Sequence, residues 1–329
     1  MVGSCNGLAC FRARGIDRFL ICNPLTGESI FHPEFLEGIY HSVGSGFGYC
    51  PSTNSYKVVT IFYHHRGEQK GYIHVYTIGG KWRSIEYIGR RKFGYSTGIY
   101  ANGALYWWHQ YDFYGLKESE IVAFDLEGEK FHSILMPRFK YEYSGQLKLL
   151  GENNNLYLAY TSYKGFCMES INIWVYKRND SGTSYATKEC NLKQNDHNWI
   201  KEFSIQHNEE FSFIKLFAIR RTNEVLLFKD YLLFPYDPKS SILNCLWNHN
   251  VRDANYIEST TLVQGLVSLK DLGETDVTYL KDLDRLMLQE GFGKDDAMGY
   301  GDTPIPRAEE EEDCGKPAKP REAKRLRNC

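Results

Sequence analysis

The chain lacks the signatures of several common protein classes. Its nine cysteines, at positions 5, 10, 22, 50, 167, 190, 245, 314 and 329, include no C-x-x-C pair. That spacing does not supply a zinc site, and an odd number of thiols is a poor disulfide framework, so reduced, mostly buried cysteines are expected. No run approaches the ~18 consecutive apolar residues of a membrane span, and residues 1–15 carry no signal-peptide core. A cytoplasmic or nuclear protein with no membrane partner is therefore expected, and the sequon Asn179-Asp180-Ser181 is expected to go unused. Charge of one sign is also missing. Against 39 basic residues stand 41 acidic ones, a net charge of −2, too balanced for a nucleic-acid-binding protein.

Aromatic residues are plentiful: 15% of the 329 positions, with 24 Tyr and 19 Phe, which favours strands over helices. Two kinds of short strand-turn-strand unit alternate along the chain. The first kind includes Phe47-Gly48-Tyr49 leading to Asn54-Ser55-Tyr56-Lys57-Val58-Val59, then Ile99-Tyr100-Ala101-Asn102-Gly103-Ala104-Leu105-Tyr106, and later copies around Asn155 and Asn223. Asn102-Gly103 is the strongest turn among them, because a type I′ hairpin needs positive φ at both central positions. The second kind starts at residues 21, 75, 122, 174 and 232, giving periods of 54, 47, 52 and 58 residues. Two hairpins per repeat make four strands per repeat. At a period near the roughly 40–50 residues of known blades, this predicts an all-β propeller of four-stranded blades. The competing architecture is a β-sandwich of similar short strands.

Antiparallel alternation has a geometric consequence: tight hairpin turns leave one face of such a blade and the other connections leave the opposite face. The longer connections fall at 62–71, 85–97, 108–119, 136–146 and 161–170. They carry His64, His65, Arg66, Arg90, Arg91, His109, Tyr111, Tyr114, Arg138, Tyr141, Tyr143 and Tyr163. Tyr and Arg are enriched at binding hot spots because they combine contact area with hydrogen-bonding ends. The candidate partner-binding set is His65, Arg66, Arg91, His109, Tyr111, Tyr114, Arg138, Tyr141, Tyr143 and Tyr163.

Three segments are expected: a propeller domain over 1–272, a short helix and linker over 273–300, and a charged tail over 301–329. Only the later part of a first blade fits before Pro33, so its opening hairpin is expected to be missing unless strands from the other end supply it. Residues 262–272 could provide a closing strand, and 282–290 have the apolar spacing of a short helix. The tail combines four prolines, the acidic run Glu309–Asp313 and, after that run, six scattered basic residues, a composition expected to be disordered.

No cofactor or metal is expected. Gly44-Ser45-Gly46-Phe47-Gly48 superficially suggests a phosphate loop, but a strand follows where a helix N-terminus is needed. His64-His65 with His74 have no carboxylate or Cys at supporting spacing. There is no G-x-S-x-G elbow. Asp125 and Glu129 could be taken for acids of a propeller enzyme, yet they lie in or beside a hairpin turn, where turn chemistry is expected instead. A non-enzymatic binding module is thus favoured over a propeller hydrolase or a carbohydrate-binding lectin.

Several ordered motifs resemble one family. Gly3-Ser4-Cys5-Asn6-Gly7-Leu8, Cys22-Asn23-Pro24-Leu25-Thr26-Gly27-Glu28, Gly46 through Val59, Val75-Tyr76-Thr77-Ile78 with Trp82-Arg83-Ser84-Ile85, Gly103-Ala104-Leu105-Tyr106-Trp107 and Ala123-Phe124-Asp125-Leu126 closely resemble the plant F-box-associated domain, over roughly Gly3 to Leu269. The resemblance implies a kelch-like β-propeller that selects a protein for ubiquitination. It also implies an N-terminal F-box that docks the Skp adaptor of a Skp–cullin–F-box ubiquitin ligase. Only Met1 and Val2 precede the first motif, so the F-box is expected to be absent here. The expected partner is a protein substrate of a ubiquitin ligase, and a Skp-type adaptor only where an upstream F-box exists.

Overall fold

A computed structural model describes residues 1–12, 18–33, 41–63, 70–88, 96–109, 120–137, 146–152, 154–164, 167–177, 198–206, 215–219, 224–229, 232–237, 247–248 and 265–282. All belong to one compact unit, Met1–Asp282. The regular structure among them is strand, apart from brief 3-10 turns such as Leu280–Asp282.

The strands form four-stranded antiparallel meanders in chain order. Sheet 1 holds β1 (Gly3–Cys5), β2 (Leu8–Arg12), β3 (Arg18–Cys22) and β4 (Glu28–Pro33); sheet 2 holds β5 (His41–Cys50), β6 (Ser55–Tyr63), β7 (Lys70–Thr77) and β8 (Trp82–Ile88). Sheet 3 holds β9 (Ser96–Ala101), β10 (Ala104–His109), β11 (Glu120–Asp125) and β12 (Lys130–Leu135). Sheet 4 holds β13 (Gln146–Glu152), β14 (Asn155–Lys164), β15 (Cys167–Tyr176) and β16 (Trp199–Gln206). Sheet 5 holds β17 (Lys215–Ile219), β18 (Val225–Lys229), β19 (Leu232–Tyr236) and β20 (Trp247–Asn248), and a last two-residue strand, β21 (Thr278–Tyr279), adds to β4.

The first strand of each sheet touches the first strand of the next: β1 against β5, β5 against β9, β9 against β13, β13 against β17. Between sheets 2 and 3 this becomes parallel pairing, Gly44 opposite Ser96 through Gly46 opposite Gly98. The chain is an all-β propeller, each sheet a blade with its first strand innermost. A sandwich would stack two sheets; here successive sheets pack side by side.

Period-two alternation shows why. On β6, Tyr56 and Val58 join the core shared with Leu8, Phe19 and Ile21 of sheet 1, while Val59 and Ile61 join that shared with Leu105, Trp107 and Phe124 of sheet 3. On β10 and β11, Leu105, Trp107, Val122 and Phe124 face sheet 2, whereas Ala104, Tyr106, Ile121 and Ala123 meet Leu156 and Leu158 of sheet 4. Tyr157 and Ala159 of β14 then meet Leu216 and Val225 of sheet 5. Middle strands are buried on both faces, hence their near-continuous apolar runs.

The hairpin turns repeat as well. Asn6, Asn54, Asn102 and Asn154 all have positive φ in the first hairpins of blades 1 to 4, as expected of a residue that tolerates the left-handed region. Asn102 (φ 48°) and Gly103 (φ 70°) are both positive, as a type I′ turn requires. In the second hairpins the left-handed position is Gly27, Gly79 and then Glu129 (φ 52°).

Glu129 occupies a costly backbone conformation, and its side chain has a use there. Lys57 of β6 points toward blade 3, is buried, and lies 2.9 Å from Glu129 Oε1; it also donates to the Leu126 carbonyl. Arg83 of β8 donates through both terminal nitrogens to the same carboxylate. Burial acts to raise the Glu129 pKa, but the bonds from Arg83 and Lys57 outweigh it, and the net shift is downward.

Three expectations are corrected. Blade 1 is not missing its opening hairpin: β1 and β2 pair across the Asn6-Gly7 turn. A three-residue strand is simply too short to show a period. Residues 161–170 are not a long loop, because β14 and β15 run through them and pair as far as Lys164 opposite Cys167. Nor do residues 265–272 form a strand; the late strand that joins blade 1 is β21, added to the outer edge of β4. Within 282–290 only Asp282 is described, and all of 301–329 lies outside the described residues.

Residues 265–282 instead form a strap over blades 1 and 2. Asn23, fully buried, donates from Nδ2 to the carbonyls of Gly265 (2.9 Å) and Val267 (2.8 Å). The Glu28 carboxylate accepts from the Leu269 amide (2.6 Å) and Ser268 Oγ (3.1 Å). Glu274 accepts from Tyr76 Oη and from the Gly79 amide (2.7 Å). Side chains thus satisfy strap backbone that a ladder would otherwise satisfy, while Val267, Leu269, Leu272 and Val277 pack into the core between blades 1 and 2.

Stability measurements and hydrogen exchange test these contacts. Glu129→Ala should lower unfolding free energy by about 3 kcal/mol, because it strands a buried lysine, and adding Lys57→Met should recover most of that in denaturant titrations. The ion pairs of Glu129 with Lys57 and Arg83 are complete at neutral pH; since the native pKa of Glu129 is lowered, their contribution begins to fall below pH ~4.3, the ordinary value, and is lost as pH passes the native one. A Cβ at Gly79 (φ +77°) would lie 1.9 Å from the Leu272 carbonyl oxygen, whereas at Gly103 (φ +70°) the nearest atom is 3.4 Å away. Gly103→Ala should cost about 1 kcal/mol. Gly79→Ala should cost about 1–3 kcal/mol more and speed hydrogen exchange in residues 265–282; equal costs would mean the strap does not seat there.

Candidate partner-binding face

Blade order and pairing fix which strand ends share a face. Because β5 and β9 are parallel, blades 2 and 3 point the same way. The Asn102 amide donates to Asn154 Oδ1 at 2.6 Å, bringing the first turns of blades 3 and 4 together, and Tyr56 Oη donates to the Asn6 carbonyl at 2.8 Å, doing the same for blades 1 and 2. The tight turns of blades 1 to 4 therefore lie on one face. The C-terminal ends of β6, β8, β10 and β12 lie on the other.

Those four ends flank most of the candidate residues. His65, Arg66, Arg91, Tyr111, Tyr114, Arg138, Tyr141 and Tyr143 themselves lie outside the described residues, as do His64 and Arg90. His109 is the last residue of β10, opposite Glu120. Tyr163 lies in β14, opposite Met168 beside a bulge, and so belongs to a strand rather than to a connection.

Near that bulge sequence reasoning missed a polar ladder across blade 4. Ser162 Oγ and Ser170 Oγ are 2.8 Å apart, Asn172 Nδ2 donates to Ser170 Oγ at 3.0 Å, and Ser204 Oγ donates to Asn172 Oδ1. Ser162 and Ser170 are buried. The signal was available: polar residues at 170, 172 and 204 alternate with Ile171, Ile173 and Ile205. The ladder is composed of neutral hydroxyl and amide groups, which can specify register and hydrogen-bond a neighbour.

Among the described residues, two acids with catalytic potential have structural employment. Asp125 Oδ2 accepts from the Gly128 amide at 3.2 Å, closing its own turn, and Glu129 holds the interblade ion pairs. His74 sits on β7 opposite Thr60, with its ring 4.9 Å from that of Phe62. Among the described residues no group of three His, Cys, Asp or Glu could hold a metal, and no helix is long and apolar enough to cross a membrane. Cys5, Cys10, Cys22 and Cys50 are free and buried. Burial pushes the Cys5 and Cys10 thiols far up and Cys22 to about 11. At Cys50 burial also acts upward, but hydrogen bonds from Ser52 and Thr53 and the charge of Lys57 bring the pKa below its ordinary value.

A family model described as "F-box associated beta propeller domain" matches residues 1–268. The chain belongs to that family. Several Arabidopsis thaliana proteins are similar to it. F-box protein At5g65850 is 28% identical over 245 residues, 70% of this chain and 56% of that protein. F-box protein At3g07870 is 25% identical over 285 residues, 73% of this chain and 63% of that protein, and Putative F-box protein At5g50220 is 29% identical over 171 residues, 50% and 43% respectively. The chain thus spans less than two thirds of these relatives. The family match ends at 268, so most of the strap extends beyond it.

Thiol chemistry gives a check on the electrostatics. In native protein at pH 8, iodoacetamide should alkylate Cys50 before Cys5, Cys10 or Cys22, read by peptide mass spectrometry. Simultaneous modification of all four would show that the blades open as a unit.

Proposed function

We propose that the propeller selects a protein target for a ubiquitin ligase, and does so without chemistry of its own. Family membership over 1–268, together with relatives named as F-box proteins, carries this reading. Partner contact is assigned to the face opposite the tight turns, through His65, Arg66, Arg91, His109, Tyr111, Tyr114, Arg138, Tyr141, Tyr143 and Tyr163. Successive blades buried on both sides make a rigid frame, and a rigid frame with variable connections is how recognition surfaces are usually built. A Skp-type adaptor would join through an F-box where the protein carries one.

The test is affinity capture from the native source with the wild-type chain and with Tyr111→Ala/Tyr114→Ala/Tyr143→Ala. Loss of one or a few specific proteins, at unchanged thermal stability, is expected, with at least a tenfold drop in affinity for each when remeasured pure. Unchanged capture by the triple variant would move the site off this face.

A further inference from the structure

The first blade carries a second feature, on the side of the tight turns. Its second hairpin, 23–27, is rigidly held: Asn23 Oδ1 accepts from the amides of Leu25 (2.9 Å) and Thr26 (3.3 Å), and the Gly27 carbonyl accepts from the Leu280 amide (2.7 Å). The strap flanks this turn twice. Leu266 lies between the two carbonyls that Asn23 binds, and Tyr279 lies beside Gly27, its ring 3.9 Å from where a Cβ would be. Three large apolar side chains are left exposed around one turn: Leu25 (56%), Leu266 (81%) and Tyr279 (38%).

Over the Tyr279 ring sit two ammonium groups, Lys270 Nζ at 5.5 Å and Lys281 Nζ at 5.7 Å from its centroid. Among the described residues neither is paired with a carboxylate. Each ammonium is therefore open to donate a charge-assisted hydrogen bond to a carboxylate of a partner. Exposed leucines beside that charge supply apolar contact area.

We propose that Leu25, Leu266, Tyr279, Lys270 and Lys281 form a docking surface for an acidic-apolar segment of a partner protein, with its carboxylates on the two lysines and its aliphatic side chains on the two leucines. Because turn and strap are already fixed by hydrogen bonds, binding orders little of this chain, which favours affinity for a short segment. The surface lies on the opposite side from the face assigned to target selection and does not depend on that assignment.

Fluorescence anisotropy tests it with three labelled peptide pools: Asp/Glu with Leu/Ile, Lys/Arg with Leu/Ile, and Asp/Glu with Ser/Gly. The acidic-apolar pool should bind at least tenfold more tightly than either control, and more weakly as salt rises. Lys270→Glu/Lys281→Glu and Leu25→Ser/Leu266→Ser should each weaken it at least tenfold; these exposed positions should leave thermal unfolding unchanged. The Tyr111/Tyr114/Tyr143 variant should bind the pool normally. Equal binding by the lysine variant, loss with the tyrosine variant, or tighter binding to phosphatidylserine vesicles than to the acidic-apolar pool would overturn the proposal.

Discussion

Each middle strand of this propeller must satisfy two neighbours at once, since its odd and even side chains enter different interfaces. On β6 that means Tyr56 and Val58 for blade 1, Val59 and Ile61 for blade 3. A slip of one residue would exchange the two sets and ruin both interfaces together. Register is therefore specified twice over, and the blades can do without long hairpins or disulfides to hold it. The same tight fit reaches the innermost strands, where β5 and β9 run parallel and Gly98 makes room for the Trp107 ring: a Cβ there would come within 2.6 Å of it.

Polar groups caught in these interfaces are matched locally. Lys57 occupies a position whose alternation points into the blade 2–3 core, and it is held there by a carboxylate on the neighbouring blade's turn. That geometry explains why a glutamate has the left-handed conformation that Gly27 and Gly79 have in the preceding blades. The strain, of order 1 kcal/mol, is smaller than the cost of an unpaired buried ammonium. Trp199 of β16 and Trp107 of β10 follow the same rule, their indole N–H groups reaching carbonyls of the preceding blade, Leu135 and Ser45.

Much of this was legible because the repeat writes each interface into the chain at a fixed spacing. Units starting near residues 47 and 98 became the first hairpins of blades 2 and 3, and those at 75 and 122 their second hairpins. What escaped reading lacked a period. β1 is three residues long, and its Asn6-Gly7 turn was visible only as part of a family motif. The 161–170 stretch is polar enough to pass for a loop, but its serines bond one another across β14 and β15. Apolar residues between 262 and 272 suggested a strand, yet Val267 and Leu269 reach the core from a segment whose backbone is held by Asn23 and Glu28. Those two long-range partners stand in motifs that read locally as turn and strand start. The candidate face was legible as topology only: alternation says from which face a connection leaves, whereas its conformation depends on contacts that no periodicity records.

The strap also changes what kind of object blade 1 is. Blade 1 meets blade 2 through the core that Leu8, Phe19 and Ile21 share with Tyr56 and Val58, and through β1 against β5, although β1 is only three residues long. Here the covalently distant segment 265–282 ties blade 1 to blade 2 through Asn23, Glu28, Tyr76 and Gly79, and its β21 covers part of the β4 edge that would otherwise invite pairing with another chain. The anchoring groups face inward, leaving Leu266, Tyr279 and two lysines outward on backbone that cannot shift without breaking buried hydrogen bonds. A segment that stabilises the blade on one side is thereby obliged to present a fixed surface on the other, and such a surface is suited to recognition.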